Sequence, residues 1–116
     1  MFIACAIISA LLAVMLSISA AGKLTRNPKV VDALTAVGVT DPQFPVLAGL
    51  ELAAAVGVVI GLWVAPLGIA AATGAVLYFV GAVIAHLRVG DTKGMAGPIV
   101  PLLMSIAALV LRVATV

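Results

Sequence analysis

Charged side chains are confined to a few short stretches of this chain, and that constrains its fold more than any motif does. Residues 1–22 and 94–111 carry none, and between Asp41 and Arg88 the ionisable side chains are Glu51, Tyr78 and His86 alone. A helix over residues 44–87 would be about 66 Å long at about 1.5 Å per residue, against a bilayer hydrocarbon core of about 30 Å. That stretch must turn once, and Gly61-Leu62-Trp63-Val64-Ala65-Pro66 carries the turn signals. Trp63 suits a membrane interface and Pro66 the first turn of the next helix. Spans are expected over residues 2–22, 45–63, 66–87 and 97–114. Lipid offers the backbone no hydrogen-bond partner, so each span must be a helix.

Composition points the same way. Of 116 residues 66% are hydrophobic and 9% charged, where soluble domains run at about half and about a quarter. A soluble fold this small would bury only about two-thirds of its surface, leaving apolar patches that monomers rarely tolerate. A soluble enzyme, a nucleic-acid binder and a disordered segment all fit poorly. The length allows one domain, residues 1–116. The single cysteine, Cys5, has no partner for a disulfide or a zinc motif, and with one histidine no metal site is expected. No phosphate loop, haem ligand pair or nucleophile elbow is present. Catalytic residues are therefore not expected.

Ser19-Ala20-Ala21 could pass as a leader cleavage site, but the apolar run is long and lacks a basic flank, so residues 1–22 read as a retained span. Loop 23–44 carries Lys23, Arg26 and Lys29, and loop 88–96 carries Arg88 and Lys93; the opposite side has Arg112. This asymmetry predicts both charged loops cytoplasmic and both termini outside. Within the first loop Asn27 is a candidate N-cap, Pro28 a first helical residue and Gly38 a terminator. Residues 28–37 should form a short amphipathic helix at the interface, with Val30, Val31, Leu34 and Val37 on its apolar side. A lid over the bundle end is its simplest role.

Small residues recur at four-residue spacing, Ser9, Ala13, Ser17 and Ala21 in span one and Gly49, Ala53, Gly57 and Gly61 in span two. Such stripes allow close backbone approach in lipid. They could meet each other or another subunit. The fold expected is all-α, an up-down transmembrane four-helix bundle with the short helix between spans one and two.

The polar residues gather at one end. Glu51 lies about two turns inside span two, where a carboxylate is costly unless neutral or paired. His86 ends span three, Arg88 follows it, and Lys23 ends span one, so separate spans deliver Lys23, Glu51, His86 and Arg88 to the same side. One reading is a buried ion-pair cluster that holds the helices in register, with Glu51 bridging Lys23 or Arg88. The other is a pocket for a small ligand, lipid headgroup or quinone, with Glu51 and His86 exchanging protons. The structural reading is preferred, because the set lacks the chain of residues a proton pathway needs. Tyr78 and Phe79 read as core or lipid-facing.

Gly22-Lys23-Leu24, Gly49-Leu50-Glu51-Leu52 and Ala85-His86-Leu87-Arg88-Val89-Gly90-Asp91, in this order and spacing, resemble the DoxX-like family of small four-span bacterial membrane proteins. The resemblance covers nearly the whole chain. It implies Lys23, Glu51 and His86 as characteristic polar positions. The family's namesake is a small subunit of a thiosulfate:quinone oxidoreductase, so the resemblance also implies other membrane subunits as partners and quinone as the one cofactor to consider. The function expected first is a non-catalytic accessory subunit that stabilises a larger membrane assembly, in contact with lipid, other subunits or copies of itself. The alternative is a quinone-linked oxidoreductase subunit that binds near Glu51 and His86.

Overall fold

In the computed structural model, which describes residues 1–40, 42–90 and 96–115, the chain forms helices α1 (Phe2–Leu24), α2 (Pro28–Ala36), α3 (Gln43–Ile60), α4 (Ala65–Arg88) and α5 (Ala96–Ala114). The described residues contain no strand. All but α2 are long and apolar enough to cross a membrane. They pack in a ring, α1 against α3, α3 against α4, α4 against α5 and α5 back against α1. The expected all-α four-helix membrane bundle is thus the observed one. Span two begins two residues and ends three residues earlier than the sequence suggests, because Gln43 and Phe44 join α3 and Gly61 caps it. Loop residues 91–95 and Asp41, parts of the expected charged loops, lie outside the described residues.

Local chemistry accounts for the short helix. The Asn27 side chain accepts from the Lys29 N–H at 3.0 Å, and Pro28 occupies the opening turn. At the other end Gly38 takes φ +89°, its N–H bonds to the Thr35 carbonyl, and the Val39 N–H bonds to that of Leu34. This is the Schellman arrangement, which needs a left-handed residue where Gly38 stands. Val30, Val31 and Leu34 are half-buried while Lys29, Asp32 and Thr35 are exposed.

The packing has the polarity expected of lipid. Leu and Ile side chains such as Ile7, Leu11, Ile18, Leu77 and Leu103 point outward, whereas Ala20, Ala48, Ala55, Ala72, Ala75 and Ala108 are buried with Leu12, Leu16 and Phe79. Since lipid is as apolar as leucine, the gain comes from close fit, which small residues permit. The closest fit is between α3 and α4. A Cβ on Gly61 would lie 2.1 Å from the Gly68 Cα, and one on Gly57 would lie 2.6 Å from the Ala71 Cβ.

The two small-residue stripes do not meet as faces. Gly57 and Gly61 pack on α4, whereas Gly49 and Ala53 are exposed. In α1, Ser9 is buried, Ala13 half-buried, and Ser17 and Ala21 exposed. A four-residue step advances about 40° beyond a full turn of a helix with 3.6 residues per turn, so over three steps a stripe drifts by about 120°. The α1 stripe therefore leaves the interface it starts in, and the α3 stripe enters one only at Gly57.

Candidate functional site

The site lies at the end of the bundle where α1 and α3 are joined through α2. Lys23 is in the last turn of α1, and helical side chains lean toward the N-terminus of their own helix. Its ammonium accordingly reaches back into the bundle. It donates to the Ser19 Oγ at 2.8 Å and forms an ion pair with the Glu51 Oε1. Glu51 is 1% exposed. Tyr78, arriving from the antiparallel α4, donates its hydroxyl to the same Oε1 at 3.1 Å. A buried charge removed from water is tolerated only with such partners.

Both donors fall on one oxygen. Among the described residues, the buried Oε2 of Glu51 has no hydrogen-bond partner. As the acidic member of an ion pair, Glu51 can only accept, so what Oε2 lacks is a donor. An unmet acceptor in a low-dielectric interior is costly, and native structures rarely carry one without a reason.

Glu51 also lines open space. A cavity of about 590 Å³ is bounded by Ser19 and Lys23 of α1, Val30 and Leu34 of α2, Tyr78, Phe79 and His86 of α4, and the opening turns of α5 at Gly97, Pro98 and Pro101. The short helix α2 thus forms one wall of the cavity. Tyr78 and Phe79 stand edge to face, ring centroids 5.0 Å apart. A second space of about 470 Å³ runs between α3 and α4, and Glu51, Tyr78 and Phe79 line it too.

Of the polar residues singled out from the sequence, Lys23 and Glu51 are in direct contact, and His86 lines the same cavity, half-buried. Arg88 is exposed and is not part of the cavity wall; it stands two residues beyond His86, about 200° round the helix. Ser19, which the sequence shows only as part of a possible leader cleavage site, and Tyr78, expected in the core or facing lipid, also line this cavity and bond to Lys23 and Glu51. Tyr78 had one available signal: it is the polar side chain in α4 nearest in depth to Glu51. Among the described residues no three of His, Cys, Asp and Glu come together as a metal cluster would require.

The far end of the bundle holds another buried cation. Arg112 donates from Nε to the Gly61 carbonyl at 2.8 Å and from Nη1 to Thr115 at 3.1 Å, with its guanidinium 5.9 Å from the centre of the Phe2 ring. It satisfies a carbonyl at the C-terminal end of α3, a favourable place for a cation. In the sequence Arg112 stands out only as a topology marker.

No curated protein and no solved structure matches the chain. The family model of the DoxX-like family matches residues 7–108, which include Lys23, Glu51, Tyr78, His86 and all the spans in whole or in large part. This multi-pass membrane protein of 116 residues therefore belongs to the DoxX-like family.

Proposed function

We propose that this chain is a ligand-binding subunit of a quinone-linked membrane assembly, and that it holds a quinol-type molecule against Glu51. The observation that carries this reading is that Glu51, a residue on the wall of a cavity of about 590 Å³, has a buried Oε2 without a partner among the described residues. A phenolic hydroxyl supplies the donor that Oε2 lacks. An aromatic ring suits the company of Tyr78 and Phe79, and His86 offers a further polar contact on the same wall. The chain contributes binding and orientation, while electron transfer belongs to partner subunits. It would do so in a bacterial inner membrane with the charged loops on the cytoplasmic side, as the basic residues Lys23, Arg26, Lys29 and Arg88 favour.

The test is titration of the purified protein in lipid nanodiscs with methylhydroquinone. Saturable one-site binding is expected. The double variant Lys23→Met/Glu51→Met replaces the buried pair by apolar side chains of similar length, a change that folds commonly tolerate. It should stay folded and lose binding. Undiminished binding by the folded double variant would overturn the proposal.

A purely accessory role has its own support. A Cβ added at Gly49 or Gly81 would meet nothing within 4 Å, so both positions present bare helix backbone on the outer surface. A neighbouring subunit's helix could pack there closely. Gly49→Leu and Gly81→Leu should then abolish co-purification with that subunit from native membranes. Retention of the partner by both variants would remove this reading. Gly57→Leu is no test of it, because Gly57 faces α4 inside the bundle.

A further inference from the structure

We propose that the groove between α3 and α4 holds the apolar tail of the molecule whose head meets Glu51, so that the ligand class is an amphiphile with a hydroxyl donor at one end and a linear hydrocarbon chain. This rests on the reading of Glu51 as a ligand contact and adds where the rest of that ligand lies.

The groove, about 470 Å³, has Glu51 and Tyr78 at one end and Leu67 at the other. Its walls between these ends are small: Ala53, Ala54 and Gly57 on α3, and Ala70, Ala71 and Gly74 on α4. Ala53, Ala70 and Gly74 are exposed, so the groove is reached sideways from the lipid rather than from either end of the bundle. Between Leu67 and Tyr78 α4 rises about 16 Å at about 1.5 Å per residue. That is close to one leaflet's share of a hydrocarbon core about 30 Å thick. The groove therefore has the length and chemistry of one apolar chain lying along the membrane normal.

Two features separate it from a mere small-residue stripe. Glu51 is shared between the groove and the larger cavity, and among the described residues its buried Oε2 has no partner. A head group bonded there can extend its tail into the groove without leaving lipid. α3 and α4 already meet at Gly57 and Ala71, which line the groove, and the close approach of Gly61 to Gly68 shuts the space beyond its Leu67 end. A chain entering from Glu51 meets that closed end and must stop or emerge into the bilayer.

The inference predicts a length-dependent block. Gly74→Leu and Ala53→Leu place a side chain in the groove from opposite walls, and a Cβ at Gly74 meets nothing within 4 Å, so the fold has room for the first change. Binding of methylhydroquinone and of decylhydroquinone is measured for wild type and both variants in the same nanodiscs, with monodisperse elution as the check on folding. In at least one folded variant decylhydroquinone should bind about tenfold more weakly or worse, with methylhydroquinone within about twofold of wild type. Equal loss for both probes, or no loss for the long probe in any folded variant, would overturn the tail groove while leaving the head site in place. Failure of methylhydroquinone to bind wild type would overturn the functional reading, and the groove's role with it.

Discussion

Both ends of this bundle bury a cation inside a membrane fold, and they use it in opposite ways. At the α3–α4 turn, Arg112 donates to the backbone carbonyl of Gly61 and to Thr115. Its neighbours are packed so closely that Gly61 and Gly68 leave no room for a single methyl group. At the other end, Lys23 donates to a carboxylate that Tyr78 also contacts, yet among the described residues one oxygen of that carboxylate has no partner, and Glu51 lines a large cavity. The first end is closed chemically and sterically. The second is incomplete on both counts, and that contrast is the ground on which a binding site is proposed there. A buried cation by itself therefore says little about function; what it leaves unmet says more.

The closed end should be the more fragile to added bulk. Gly61→Leu drives a side chain into the Gly68 backbone, which cannot rotate aside. Overpacking typically costs about 1–3 kcal/mol and more where nothing yields. We expect this variant to lose monodisperse folded protein in mild detergent. Recovery of wild-type amounts with an unchanged helical spectrum would mean that the α3–α4 contact is looser than described.

The cations themselves should rank the other way. Lys23→Met strands the Glu51 carboxylate in the interior, and breaking a buried pair from one side costs about 3–5 kcal/mol. Arg112→Met strands a neutral carbonyl instead, for which about 1–3 kcal/mol is expected. Thermal unfolding followed by circular dichroism should therefore show the larger fall for Lys23→Met. The Arg112 variant should still bind methylhydroquinone as wild type does. If it lost binding while folded, the two ends would not be separable in the way proposed.

Arg88→Gln calibrates the comparison from below. Arg88 is exposed and outside the cavity wall, so neither the unfolding midpoint nor probe binding should change measurably. A clear loss of binding would bring Arg88 back into the site that the sequence had assigned it to.

Much of the architecture was legible without coordinates. The spans follow from where charge is absent and from what lipid forbids the backbone. The short helix follows from Asn27, Pro28 and Gly38, whose effects act within a few residues and need no tertiary partner. That Glu51 must find a partner was equally local, because a carboxylate at its depth in an apolar helix is costly wherever the other helices lie. Which partner it found was decided by the tertiary structure. Lys23 and Arg88 both end spans on the correct side, but only the azimuth of each helix in the ring sets which cation points inward. The same applies to Tyr78, which a one-dimensional pattern cannot distinguish from a lipid-facing aromatic. It applies also to Gly57 and Gly61, which face α4 while Gly49 and Ala53 of the same four-residue stripe stay exposed. Sequence determines which groups need satisfying, since that depends on their chemistry and depth; only the arrangement of the helices decides which are satisfied, and among the described residues it leaves Oε2 of Glu51 without a donor.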